Sequence, residues 1–311
     1  MQGTVAITDK GWYEHLAARP DLVEVNFWTP SARRAFRGEE GAPFFFKLRA
    51  PYNAICGFGF FSRYTQLPDW LAWECFEQGN GCASLHDMRD RLRGIRQRSG
   101  FKGDASEPRI GCILILSPVF FSEEDWIPQP RDWPASTQSY KRYDLHEGEG
   151  RRVWEACRAR AISAQAPDGL GVLASDAGER YGEPVLVKPR LGQGTFRVAV
   201  TEAYDWGCAV TGEHSLPALD AAHIQAYAEG GPHDVRNGIL LRADLHRLFD
   251  LGYITVAPEM NLEVSSALKA DYKNGRTYYP LHGQSVRTPT HDQDRPAQEF
   301  LHWHNENIFR G

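Results

Sequence analysis

With 311 residues, 42% of them hydrophobic and 24% charged, the chain is long enough for two domains that each bury a core, which excludes disorder as its main state. A formal charge of -5 excludes a uniformly basic nucleic-acid binder, so any contact with phosphates must come from local basic patches. There is no apolar run long enough to span a bilayer, and residues 1–20 lack the basic start and apolar centre of a secretory leader, so a cytoplasmic protein with no membrane partner is expected.

Taken in chain order, the first half alternates strands and helices. Residues 22–28 (LVEVNFW), 43–48 (PFFFKL), 54–61 (AICGFGFF) and 109–121 are rich in β-branched and aromatic residues and read as strands. Residues 68–78 and 85–97 have helical spacing, and Gly and Pro mark the joins. Within 88–102, Arg89, Arg93 and Arg96 share one helical face and form either a basic patch or an ordinary solvated surface. A Pro-rich stretch, 127–139, is followed by a helix at 150–165 with Val153, Trp154 and Cys157 inside. The pattern predicts an α+β domain on a small curved sheet or barrel, 1–165, a Gly- and Ala-rich linker, 166–184, and a second domain, 185–311. The six cysteines form no C-x-x-C pair and read as reduced, mostly buried thiols without disulfide or zinc roles.

Eight of the eleven histidines follow the linker, which places the chemistry in the second half. Residues 208–256 parse as a strand ending at His223, a Gly- and Pro-containing loop, a second strand GILLR, and a helix over 243–249 with Asp244 as its N-cap. His246 and Asp250, four apart on that helix, share a face and can reach the same cation. An imidazole nitrogen and a carboxylate oxygen suit Mg²⁺ or Mn²⁺, with Ni²⁺, Co²⁺ or Zn²⁺ as further choices. His302 and His304, two apart in a closing helix, do not share a face well enough to form a metal pair.

The run His223, Asn237, His246, with gaps of fourteen and nine, followed by Asp250 and set in AAHI, NGILLRADLH and LFD, resembles the HNH endonucleases of the ββα-metal superfamily. The resemblance implies that His223 is the general base that activates water, that Asn237 bonds across the loop and holds that base, and that His246 and Asp250 ligate one divalent ion. Relatives often carry Asp or His directly before the base; Ala222 stands there in this chain, and Asp220, on the same side of the strand, is the candidate replacement ligand. The paired C-x-x-C knuckles that bind structural zinc in many relatives are absent, since Cys208 stands alone. Lys188, Arg190 and Arg197 resemble the R-x-G-Q-x-x-F-R lead-in of restriction-type members and are candidate phosphate contacts, with solvent-facing strand charges as the alternative; Arg242 and Arg247 flank His246 and are candidates of the same kind.

The first half, through VEVNFWTPS, GAPFFFKLRAPYNAICGFGFF and LAWECFEQGNG, resembles the PUA-like superfamily of EVE, ASCH and SRA-type readers. That resemblance implies a mixed sheet or barrel and a pocket for a flipped, modified base, with Trp28, Phe58, Phe60, Trp70 and Trp73 as stacking candidates and Asn26 and Asn53 as readers of polar edges. A reader joined to an HNH domain implies a modification-dependent restriction endonuclease acting on DNA, with modified cytosine as a candidate target and a homodimer as a candidate assembly. The alternatives are a decayed HNH protein that binds nucleic acid without cutting, and a non-specific toxin-type nuclease.

Overall fold

The computed structural model describes residues 1–32, 35–98, 109–164 and 191–311. The chain separates into two compact units, Met1–Gly192 and Gln193–Gly311. The expected linker, 166–184, lies outside the described residues, as do Lys188 and Arg190. Among the described residues no helix is long and apolar enough to cross a membrane. All six cysteines are free thiols, five of them buried and Cys75 half-buried.

The first unit opens with two elements that the sequence reading leaves out: β1 (Gln2–Thr8) and α1 (Lys10–Ala17), which Asp9 caps by accepting a bond from the Trp12 amide. There follow β2 (Glu24–Thr29), β3 (Pro43–Leu48), β4 (Ala54–Pro68), α2 (Asp69–Phe76), α3 (Leu85–Arg98), β5 (Arg109–Phe120), β6 (Ile127–Pro128), β7 (Tyr140–Asp144) and α4 (Gly148–Ala164). The seven strands form one mixed sheet in the order β2-β5-β4-β3-β1-β7, with β6 pairing β4; β1 and β3 run parallel and the other pairs antiparallel. Strands β2 and β7 stand at the two ends of this order, so among the described residues the sheet does not close into a barrel.

The run of phenylalanines in β3 explains why the sheet is covered on both faces. Phe44 and Phe46 point to one side, where Trp12, Tyr13 and Leu16 of α1 pack, and Phe45 points to the other, against Trp154 of α4. Helix α4 meets that second face with Val153, Trp154, Cys157 and Ala161, an apolar stripe at helical spacing. Register shifts in β4 between Phe58 and Phe60 and between Phe61 and Arg63 bend the long strand, and Gly59 sits where a side chain would meet the Ile115 side chain at 2.4 Å.

The second unit is built on α5 (Gln193–Ala203), the hairpin β8 (Leu219–His223) and β9 (Gly238–Arg242), α6 (Ala243–Asp250), the hairpin β10 (Ile254–Val256) and β11 (Leu262–Val264), α7 (Ala267–Tyr272) and α8 (Gln298–Asn307). One apolar cluster joins these elements, from Phe196 and Val200 of α5 through Leu219, Ile239 and Leu241 of the hairpin to Leu245 and Phe249 of α6 and Leu301 of α8. Residues 193–203 are helical, which replaces the strand implied by the solvent-facing alternative for Arg197. Asp244 is not the cap of α6: Arg242 occupies that position, and Asp244 instead accepts two bonds from its guanidinium.

Candidate active site

The hairpin sets the site's geometry. In its antiparallel register His223 lies opposite Gly238, and the Ile224 amide donates to the Asn237 carbonyl at 2.9 Å, so both ends of the loop 224–237 leave from one closed pair. Phe196 of α5 supports the His223 ring face to face, with centroids 3.9 Å apart and planes 12° from parallel. Burial, with further contributions from His233 and His246 nearby, pulls the His223 imidazole down to about 4. The ring is therefore neutral at neutral pH, the form in which it can accept a proton.

Asn237 is wholly buried and spans the loop: its Oδ1 accepts from the Gln225 amide at 2.8 Å, and its Nδ2 donates to the carbonyls of Gln225 and Pro232 at 2.9 and 3.0 Å. All three bonds fall on residues next to, or two away from, a histidine of the site. Gly231 makes the crossing possible, because a Cβ there would lie 1.9 Å from the Gln225 carbonyl oxygen and 2.9 Å from Asn237 Nδ2.

Helix α6 carries the second set of groups. His246 Nε2 lies 3.4 Å from an Asp250 oxygen, one turn on, and His246 Nδ1 lies 3.4 Å from an Asp220 oxygen on β8. Ala222, the position before the expected base, is buried in the apolar cluster, whereas Asp220 is half-exposed and reaches the helix. Burial opposes a charge on His246, but its bond to the Asp220 carboxylate and the charge of Asp250 outweigh it and raise the imidazole. Asp220 is lowered by its bond to His246, with a further contribution from the Arg197 charge, while Asp250 is raised by its burial.

Two carboxylates and an imidazole form a donor set suited to a small divalent cation. The ring lies between the carboxylates, one nitrogen to each, and among the described residues no three His, Cys, Asp or Glu side chains already surround a common point. The fit is thus one of chemistry and proximity. Near Cys208, where relatives place zinc knuckles, the turn is closed by backbone bonds instead: the Cys208 amide donates to the Glu213 carbonyl and the Gly212 amide to that of Cys208.

The remaining basic candidates divide. Arg197 is near enough to Asp220 for its charge to be felt there, and Arg247 is exposed beside His246. Arg242 is engaged by Asp244. In the first unit Arg89 is held by Asp69 at 2.7 and 3.0 Å, Arg93 pairs with Asp90, and Arg96 donates to the Pro30 carbonyl at 2.9 Å, so this face is bound up in protein contacts.

The base-pocket candidates do not gather at one place. Asn26 is wholly buried; its Nδ2 donates to Asn80 and Cys112 while its Oδ1 has no hydrogen-bond partner among the described residues, and the Trp28 indole donates to the Asn80 carbonyl. Trp70 and Trp73 are half-buried on α2, and Asn53 is exposed in a turn with a φ of 45°. Of the seven candidates, Phe58 and Phe60 line a cavity of about 190 Å³, together with Trp154, Val119 and Arg158. His302 Nδ1 bonds the Gln298 carbonyl of its own helix, and both nitrogens of the buried His304 are engaged, by Thr255 and the Phe249 carbonyl.

Sequence reasoning missed one neighbour of His223. His233 Nδ1 lies 3.0 Å from His223 Nε2, and Tyr227 stacks on His233 with centroids 4.5 Å apart. The available signal was the loop itself: a strand pair closed at His223 and Asn237 returns residues 231–233 to the first histidine.

Residues 208–257 match the family described as HNH endonuclease. No curated protein matches the chain. Similar solved structures include ASCH from Zymomonas mobilis, with 12% identity, 49% of this chain and 94% of that chain covered and a TM-score of 0.33, and a point mutant of the same protein, with 10% identity, the same coverage and a TM-score of 0.32. Another is the modification-dependent TagI restriction endonuclease, with 12% identity, 92% of this chain and 75% of that chain covered and a TM-score of 0.29. At such TM-scores these likenesses carry no weight for the residues of the site. The hairpin, its crossing asparagine and the following helix lie within the matched segment, and the chain carries an HNH endonuclease domain over residues 208–257.

Proposed function

We propose that the chain hydrolyses phosphodiester bonds in DNA with one divalent ion, and that its first unit directs the cut toward DNA carrying a modified base. The observation that carries the first part is the approach of Asp220 on the strand to His246 on the helix, which, with Asp250, sets one imidazole 3.4 Å from each of two carboxylates, near a neutral His223. Asp220, His246 and Asp250 would hold the ion, which when bound neutralises charge on the phosphate and supports the leaving oxygen. His223 takes a proton from the attacking water, and the buried stack on Phe196 fixes the plane of its ring. Asn237 keeps the loop, and hence the ring, in place. Arg197 and Arg247 are the phosphate-contact candidates best placed for the substrate backbone.

What supports a reader function in the first unit is its cavity, which Phe58, Phe60 and Trp154 line, with Arg158 5.8 Å from the Trp154 ring. Modified cytosine is the target we favour, and a cut through both strands by one site per chain calls for two copies.

The test is a panel of plasmid DNAs, plain and carrying methylated or hydroxymethylated cytosine, incubated with the protein and Mg²⁺ or Mn²⁺. Cleavage that disappears with chelator and in His246→Ala is expected, with the modified plasmids cut first. Cleavage that persists in chelator would remove the metal from the reading, and equal cutting of all plasmids would remove the modified base.

A further inference from the structure

The loop 224–237 is more elaborate than a support for one histidine requires. Its two ends are tied together by Asn237, which holds Gln225, two residues after His223, and Pro232, one residue before His233. The crossing therefore clamps the two histidines against each other as much as it orients either. Each ring has its own aromatic backing: Phe196 under His223, and Tyr227 on His233 with planes 7° apart. Tyr227 is 65% exposed, so this ring lies in solvent beside His233 and not in the core.

We propose that His233 is a positioning residue for the cleavage reaction: it holds His223 in the tautomer that carries its hydrogen on Nε2, and it accepts a charge-assisted hydrogen bond from that nitrogen once His223 has taken the water's proton. The proposal rests on His223 being the base, as proposed above. A nitrogen-to-nitrogen contact of 3.0 Å holds one hydrogen. If His223 Nε2–H donates to His233 Nδ1, then His223 Nδ1 keeps its lone pair and is competent to accept a proton. If His233 Nδ1–H donates instead, His223 Nδ1 carries the hydrogen and the ring cannot act as a base. The identity of the donor in this one bond therefore switches the site on or off.

The step balances without a further reactant. An O–H bond of water breaks as an N–H bond forms at His223 Nδ1, while the water oxygen bonds to phosphorus and the bond from phosphorus to the leaving oxygen breaks. The positive charge now on His223 is shared through Nε2–H with the neutral His233, as a third group stabilises the imidazolium in a hydrolase triad. Loss of the Nδ1 proton to the leaving oxygen or to solvent restores the starting tautomer, so His233 never needs to change its own protonation state.

Two substitutions separate acceptor from ring. His233→Phe keeps a flat ring for Tyr227 and removes the acceptor; His233→Asn places an acceptor oxygen near the position of Nδ1. In single-turnover and steady-state nicking of supercoiled plasmid, His233→Phe is expected to lower kcat about 10- to 100-fold with KM nearly unchanged, and His233→Asn to recover most of the loss. Nitrogen NMR of isotope-labelled histidine in the full chain, which needs no activity, should show His223 protonated on Nε2 in the wild type and a mixture of tautomers in His233→Phe. A wild-type kcat in His233→Phe, or His223 found protonated on Nδ1, overturns the proposal. A wild type that cuts no DNA with any divalent ion, while the NMR result holds, would instead overturn the nuclease reading and leave the paired tautomers standing.

Discussion

In the first unit, the polar candidates are engaged one by one with protein groups: Asn26 Nδ2 donates to Asn80, Arg89 to Asp69 and Arg96 to a carbonyl. In the second unit, the groups around His246 are set against one another, with one imidazole shared by two half-exposed carboxylates and a neutral histidine pair close by. A second contrast lies inside the second unit. His304 is also on a helix, but it is 2% exposed, stacks on Phe249 at 3.7 Å and satisfies both nitrogens with neutral partners. Polar groups with complete, private partners hold a fold together, while groups that share partners at a surface are available to a substrate or ion.

The largest effect expected from breaking this contrast is at the shared cluster. His223→Ala should lower plasmid nicking by about 10²- to 10⁴-fold, the range for loss of a general base, with DNA retention in a gel-shift assay unchanged. Retained nicking would move His223 into the class of structural histidines.

Asn237→Ala removes three loop bonds and leaves three backbone groups without their partner. A loss of about 2–4 kcal/mol in stability is expected, together with a fall in nicking of about tenfold or more, read by denaturant unfolding and the plasmid assay on the same sample. A stability loss with full activity would separate the clamp from the chemistry.

The private pairing of His304 predicts a pH effect. Burial holds this ring down to about 4, below the ordinary unfolded value near 6.5, so the unfolded chain binds the proton first. The stability it contributes is therefore complete above about pH 6.5 and is lost as pH falls toward 4, by about 3 kcal/mol over that window. Melting curves between pH 8 and 4.5 should show a shallower acid slope in His304→Gln than in the wild type. Equal slopes would show that His304 does not carry the linkage.

The smallest effect is at the arginine face of the first unit. Arg89→Ala removes an exposed pair with Asp69 and should cost about 0.2–1 kcal/mol, with no change in the salt dependence of DNA binding. A weaker salt slope would return this helix to the set of phosphate contacts.

The chemistry of the second unit was legible in the sequence because its parts are close along the chain. His246 and Asp250 need only helical geometry to share a face, and His223 and Asn237 meet because a hairpin closes between them. That Asp220 lies on the same strand side as Ala222 was legible because strand alternation is local, and the structure sets it 3.4 Å from His246. The burial of Asn26 was not legible, for the opposite reason. The acceptors of its Nδ2, Asn80 and Cys112, are 54 and 86 residues away, and no local pattern reports them. The ladder β1–β3, a parallel pairing between segments 40 residues apart, was invisible on the same ground.

By itself, then, the amino-acid order determined which residues have metal-ligand and base chemistry at the spacing of a hairpin and a helix, because such spacing is a property of the local backbone. Tertiary packing alone decided which polar groups are committed to the fold and which are left to share: Phe196 arriving from α5 beneath His223, the loop returning His233 to its edge, and the sheet enclosing Asn26. Those outcomes depend on desolvation and on partners brought together across the fold, and neither is encoded in a residue's immediate neighbours.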